Sequence, residues 1–177
     1  KRAFYAEPAA KGERGVRYAL TRSLMPWEKE SARKHLWTYG AGVLYHAGIF
    51  AALFYLSTLV FSLHLHPLLF RILQILMVMA VVCGAGLLAR RFLLPSMRRI
   101  SCVDDYVSNV LVDLLLIFGF AEGFIPDIRP VLFVTASVLF LYIPLGKIRH
   151  CFFFFYSRGL YGFFFGRRGV LPPRRQV

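Results

Sequence analysis

Five histidines, at positions 35, 46, 64, 66 and 150, are the residues of this sequence best suited to chemistry. His46 and His150 stand within or beside long apolar runs, where an imidazole is costly unless it has a partner or a metal. A bis-histidine b-type haem needs two neutral imidazoles on different helices at similar depth, facing each other across a porphyrin. The pair also reads as two unrelated polar residues, one buried and one interfacial. Gly40, Gly42, Ala47 and Gly48 are small enough to let a flat macrocycle approach the backbone beside His46. Arg90, Arg91, Lys147 and Arg149 are positioned in sequence to pair with its propionates. His35 precedes the apolar run and reads as an interfacial anchor. His64 and His66 fall in a short outer loop, where a solvated or quinone-headgroup role fits. Their i, i+2 spacing points them apart on a helix, which argues against a shared metal.

Quinol oxidation releases protons along with electrons, so a quinone site needs ionisable groups near the ring. Asp113 and Asn109 lie one turn apart in an apolar segment, and Glu122 stands near its outer end. A carboxylate inside a membrane is a functional candidate by default. A protonated Asp113 bonded to a neighbouring helix is an equally good reading. Arg71 and Gln74 either pair with these acids or face an outer cavity. Asp104 and Asp105 read as the start of a helix, where negative charge meets the positive end of the dipole.

The three cysteines, at 83, 102 and 151, stand alone. No C-x-x-C, C-x-x-C-H or zinc spacing occurs, so the chain carries no iron–sulfur cluster or c-type haem of its own. They read as small apolar fillers. There is no catalytic triad, metal-hydrolase signature or phosphate loop, so no catalysis by the chain alone is expected.

The elements that must position these residues are transmembrane helices. Of 177 residues, 58% are hydrophobic and 18% charged, too apolar for a small soluble domain. A hydrocarbon core of about 30 Å needs about 20 helical residues. Four segments meet or approach that length: 37–63, 67–89, 106–124 and 130–156. Prolines at 67, 126 and 130 fall at their ends, and Pro144 predicts a kink inside the last. The expected class is therefore all-α, an integral membrane four-helix bundle.

The formal charge of +13 is concentrated beside the apolar runs and does not interleave with polar sequence, which argues against nucleic acid. Segment 1–37 holds nine Lys and Arg, the second loop holds Arg90, Arg91, Arg98 and Arg99, and 147–177 holds seven. Twenty of the 22 thus fall on one side, which the positive-inside rule assigns to the cytoplasm. Both ends of the chain are then cytoplasmic: a basic segment 1–36, a bundle 37–156 and a basic tail 157–177. The first 35 residues lack the apolar core of a signal peptide. Residues 16–34, around Met25-Pro26-Trp27, read as an interfacial helix, a docking surface or a solvated connector. The tail from Gly159, rich in Phe, Gly and Arg, reads as lying on headgroups or under a partner. A transporter would show more midplane polar groups and broken helices than this sequence supplies.

Short motifs add a family resemblance. Tyr45-His46-Ala47-Gly48-Ile49 resembles the aromatic-His-x-Gly-Ile that opens the ligand helix of the respiratory nitrate reductase gamma subunit. Pro144-Leu145-Gly146-Lys147-Ile148-Arg149-His150 resembles the P-x-x-K-x-x-H at the end of that family's last helix. Arg90-Arg91 through Pro95, Arg98-Arg99, Ser101 and Asp104-Asp105 looks like its basic cytoplasmic loop. Phe165-Gly166-Arg167-Arg168-Gly169-Val170 is similar to membrane cytochromes b of sulfite-reductase-associated and heterodisulfide-reductase-like complexes.

The resemblance implies a haem b subunit in a prokaryotic inner membrane. It would pass electrons between quinone, such as menaquinone, and an iron–sulfur partner on the cytoplasmic side. His46 and His150 match the ligands of the inner haem. Where the family holds a second, outer haem, this sequence has Leu56 and Leu132, so one haem is expected. The resemblance also implies a further helix before Lys1. The alternative is a haemless structural anchor of a multi-subunit complex.

Overall fold

The computed structural model describes residues 8–29 and 34–173. All regular structure among them is helical. In chain order the α-helices are α1 (Gly12–Leu20), α2 (Leu36–Val60), α3 (Pro67–Leu93), α4 (Pro95–Ile100), α5 (Val103–Glu122), α6 (Arg129–Tyr142) and α7 (His150–Arg167). Single 3₁₀ turns occur at Arg22–Leu24, Pro26–Glu28, Pro126–Ile128 and Lys147–Arg149. The chain divides into two compact units, one of residues 37–148 and one of residues up to 36 together with those from 149 on.

Two helices, α2 and α3, are long and apolar enough to cross a membrane. At 1.5 Å per residue their 25 and 27 residues exceed a hydrocarbon core of about 30 Å. A third crossing qualifies only if the segment through α6 is joined with α7 across the break between them. Membrane association follows from these runs. The 20 residues of α5 are long enough but include Asp104, Asp105, Asp113 and Glu122.

Local chemistry explains the helix limits. Pro67 occupies the first turn of α3, where its missing N–H is no loss, and His66 precedes it as N-cap. The His66 Nδ1 accepts from the Leu68 backbone N–H at 3.3 Å, a weak cap. At the start of α5 the Asp105 carboxylate accepts from the Cys102 backbone N–H at 2.9 Å.

The expected helix 130–156 is instead two helices. Residue 143 still bonds back to Leu139, but Pro144 has no N–H to give and its ring clashes with the preceding turn. The chain turns through Leu145 and Gly146, both bonded to the Tyr142 carbonyl, and helix resumes at His150. Pro144 therefore ends the helix rather than kinking it. The stretch 150–156 belongs with the basic tail.

In the unit of residues 37–148, four helices contribute to one apolar core. It takes Ala51, Ala52, Tyr55 and Leu56 from α2, and Leu73, Met77 and Ala80 from α3. Val112, Leu115 and Leu116 come from α5, and Leu132, Ala136 and Leu139 from α6. Met77, Leu115, Leu116 and Leu132 are fully enclosed. Between helices in lipid, close van der Waals packing and polar contacts hold the assembly, because tails are as apolar as leucine. Small residues at the contacts are accordingly required. A Cβ on Gly48 would lie 2.1 Å from the Ala80 Cβ and 2.7 Å from the Leu76 carbonyl oxygen.

In the other unit, α1 and α7 run antiparallel with their backbones touching. A Cβ on Gly15 would meet the Gly162 carbonyl oxygen at 2.1 Å, and one on Gly166 would meet the Gly12 oxygen at 2.8 Å. The Ala9 backbone N–H donates to the Arg167 carbonyl at 2.8 Å and closes the end of the pair. After α1, Glu28 accepts from the Tyr18 hydroxyl and from Arg22 Nε, which ties the connector back to the helix.

Candidate functional site

His46 lies on α2, one turn above Gly42, on an exposed part of the helix surface. Its Nδ1 is 2.7 Å from the Gly42 carbonyl oxygen. A carbonyl can only accept, so Nδ1 carries the proton and the ring's lone pair sits on Nε2. A second-shell bond of this kind fixes the tautomer that a metal-ligating histidine needs. Gly40 and Gly42 have open space where a side chain would stand. Gly48 does not contribute to that opening: its missing side chain is used in the contact with α3 described above.

His150 is the first residue of α7 and is exposed. It belongs to the unit that contains α1, whereas His46 belongs to the unit of residues 37–148. His35 and His64 are exposed as well, and His66 is occupied with capping α3. Among the described residues no group of three or more His, Cys, Asp or Glu is arranged to hold a metal ion. A haem needs only two protein ligands.

Beside His46, the Tyr45 ring meets the imidazole edge-on with centroids 6.4 Å apart. Tyr45 turns the other way, toward α5. Its hydroxyl donates to Asp113 Oδ1 at 2.9 Å. Asn109 Nδ2 lies 2.9 Å from Asp113 Oδ2 and 3.1 Å from the Tyr45 oxygen. Asp113 thus has a protein partner on each oxygen, supplied by two helices. The space for this triad comes from α3: a Cβ on Gly84 would stand 2.1 Å from Asp113 Oδ1 and 2.5 Å from the Tyr45 ring. Nothing in the sequence marked Tyr45 as the partner of Asp113, which is 68 residues away.

Glu122 closes a second buried group. Only 3% exposed, it accepts from the Tyr55 hydroxyl and from Arg129, whose Nε and Nη2 both lie 2.7 Å from Oε1. Arg129 reaches inward from a half-exposed position. Gln74 pairs with none of these acids. It is buried against Gly123, and neither Nε2 nor Oε1 has a hydrogen-bond partner. An open apolar cleft of about 660 Å³ adjoins it, lined by Phe70, Arg71, Phe120 and Phe124 among others.

Three of the four basic residues expected near a haem, Arg90, Arg91 and Lys147, have other partners. Arg90 donates to the Thr38 hydroxyl, joining α3 to the start of α2. Arg91 lies 3.5 Å from Asp105 Oδ1 and donates to the Ser101 hydroxyl at 3.1 Å. Lys147 Nζ donates to Asp105 Oδ2 at 2.7 Å, while its backbone N–H donates to Asp104 Oδ2 at 2.7 Å. The Tyr142 hydroxyl donates to Asp104 as well. Gly146 permits this closure, since a Cβ there would stand 2.7 Å from Asp104 Oδ1. Arg149 is exposed at the head of α7.

Burial acts to raise the Asp105 carboxyl. Bonds from Lys147 and the Cys102 backbone N–H, with Arg91 nearby, outweigh it and bring the group down to about 2. Asp104 is also lowered, chiefly by the bond from the Tyr142 hydroxyl. The two acids that read in sequence as a helix start are therefore a clasp joining the ends of α3, α5 and α6.

Leu56 and Leu132, at the positions where the resemblance would put outer haem ligands, are 6% and 1% exposed and lie in the apolar core. No family model, no curated protein and no solved structure matches this chain.

Proposed function

We propose that this chain is the haem b membrane subunit of a respiratory oxidoreductase in a prokaryotic inner membrane. It carries electrons between the quinone pool and an iron–sulfur subunit on the cytoplasmic side. In this reading the chain crosses the bilayer four times with both described ends cytoplasmic. The observation that carries it is the 2.7 Å contact of His46 Nδ1 with the Gly42 carbonyl, which puts the ring lone pair on Nε2, the tautomer a ligating histidine needs, beside the open backbone of Gly42.

His46 and His150 would hold the iron, and bound haem supplies reversible one-electron chemistry. Gly40 and Gly42 leave the backbone open to a flat ring. Arg91 and Lys147 reach a propionate only by sharing it with Asp105, which makes Arg90 and Arg149 the less committed cations for that role. The Tyr45–Asn109–Asp113 group, next in sequence to the ligand, can hold a proton close to the redox centre. Packing of Leu56 and Leu132 into the core supports one haem rather than two. The Gln74 amide, a buried donor and acceptor beside an apolar cleft, supports a quinone head on this chain.

A reduced-minus-oxidised visible spectrum of the purified protein tests the assignment. A b-type band is expected, with one haem per chain by pyridine haemochrome. His46→Ala should abolish the band. No dithionite-reducible haem in the intact complex would leave a structural anchor, and a haem content of about two would refute the single-haem reading.

A further inference from the structure

The unit formed by α1 and α7 has a surface that the redox reading does not use. α7 turns Gly162 and Gly166 toward α1 and is otherwise ringed by aromatic and basic side chains. Phe152, Phe153, Phe155 and Tyr156 are each more than 60% exposed, so no described part of the unit covers them. Toward its C-terminal end, Pro8, Leu160, Tyr161, Phe163 and Phe164 help to wall a groove of about 850 Å³, with Arg167 and Arg168 also lining it. The Arg168 guanidinium lies 4.0 Å over the Phe164 ring and that of Arg167 lies 5.6 Å over Phe163. The described residues of this unit hold ten Lys and Arg against two acids, Glu13 and Glu28, and Glu28 is engaged by Tyr18 and Arg22.

We propose that this unit is a binding site for an anionic phospholipid, with an acyl chain in the aromatic groove and the headgroup phosphate held by Arg167 and Arg168. The two halves of the surface select that ligand together. Guanidinium forks match phosphate oxygens, and stacking on Phe164 and Phe163 holds them in place before the phosphate arrives. Phenylalanine and tyrosine at headgroup depth are at home beside acyl chains, and basic segments next to a membrane crossing attract the anionic leaflet. An acidic protein surface would satisfy the arginines but leave the apolar groove unfilled. A neutral lipid would fill the groove but leave the charge unused. The proposal requires a membrane and does not depend on the haem.

The test uses full-length protein, delipidated in detergent and given equal phosphatidylglycerol and phosphatidylcholine, with bound lipid counted by native mass spectrometry. Phosphatidylglycerol should be retained selectively and should survive millimolar orthophosphate. The exposed pair R167Q/R168Q should weaken retention about tenfold. F164S, which removes a wall but no charge, should weaken it too. R98Q/R99Q, an exposed basic pair in the other unit, should leave it unchanged. Equal retention of the two lipids, displacement by orthophosphate, or normal retention by R167Q/R168Q would overturn the site. So would a double variant that keeps its lipid but loses a soluble subunit, since the surface would then belong to a protein partner. The visible spectrum of each variant keeps this result separate from the haem assignment.

Discussion

The Tyr45 hydroxyl and the Asp113 carboxylate, from α2 and α5, meet at 2.9 Å in the space left by a glycine on α3. Tyr45 is also the neighbour in sequence of His46, so the polar group inside the unit and the imidazole on its surface are mechanically joined. Removing the hydroxyl in Tyr45→Phe should cost about 0.5–2 kcal/mol, in the range of interhelical hydrogen bonds in membranes. Gly84→Ala should cost more, about 1–3 kcal/mol, because the new methyl must displace both partners at once. Gly86→Ala, where a Cβ meets nothing within 4 Å, should be neutral or slightly stabilising. Thermal unfolding in detergent ranks the three.

Glu122 and Arg129 should behave as one unit. Arg129→Ala leaves a carboxylate that is 3% exposed with only the Tyr55 hydroxyl, at a cost of about 1–3 kcal/mol, reduced from fully buried pairs because Arg129 itself is half in solvent. The double variant E122Q/R129A should recover part of that loss. A double-mutant cycle with additive effects would show that the pair is not coupled.

Acid should open the clasp at the start of α5. Asp105 titrates at about 2 in the folded chain, below its ordinary value near 3.8. A group with a lowered folded value stabilises fully above its unfolded value and loses that contribution as pH falls through the folded one. Asp105→Asn should therefore lower the melting temperature at pH 7 and at pH 5 by similar amounts. The gap to wild type should close between about pH 4 and pH 2. A gap independent of pH would assign the contact to shape and not to charge.

The α1–α7 pair should fail at a single methyl. Gly15→Ala puts a Cβ 2.1 Å from the Gly162 carbonyl oxygen, and backbone cannot rotate out of the way as a side chain can. Limited proteolysis between residues 20 and 36 should accelerate several-fold in that variant. Gly159→Ala, on α7 with nothing within 4 Å, should cut at the wild-type rate.

Apolar length and proline placement made α2 and α3 legible in the sequence, since each feature acts over a few residues. Pro144 was legible as a disturbance, but its severity depended on Gly146 and on the Asp104 clasp, which lies some forty positions away. The carboxylates were visible as candidates, while Tyr45, Tyr55 and Arg129 became their partners only through helix packing. Gly162-Phe-Phe-Phe-Gly166 is a small-x-x-x-small stripe that could have been read as a helix contact. Its partner, Gly12 and Gly15, lies at the other end of the chain, and no local period joins the two.

That last contact sets an order of events at the ribosome. A nine-residue helix is too short to persist alone in water, and the long helix that α1 packs against is α7. It leaves the exit tunnel well before α7 has been translated, a wait on the order of ten seconds at ordinary elongation speeds. Until α7 has been made, α1 must be kept unfolded or parked on some temporary surface.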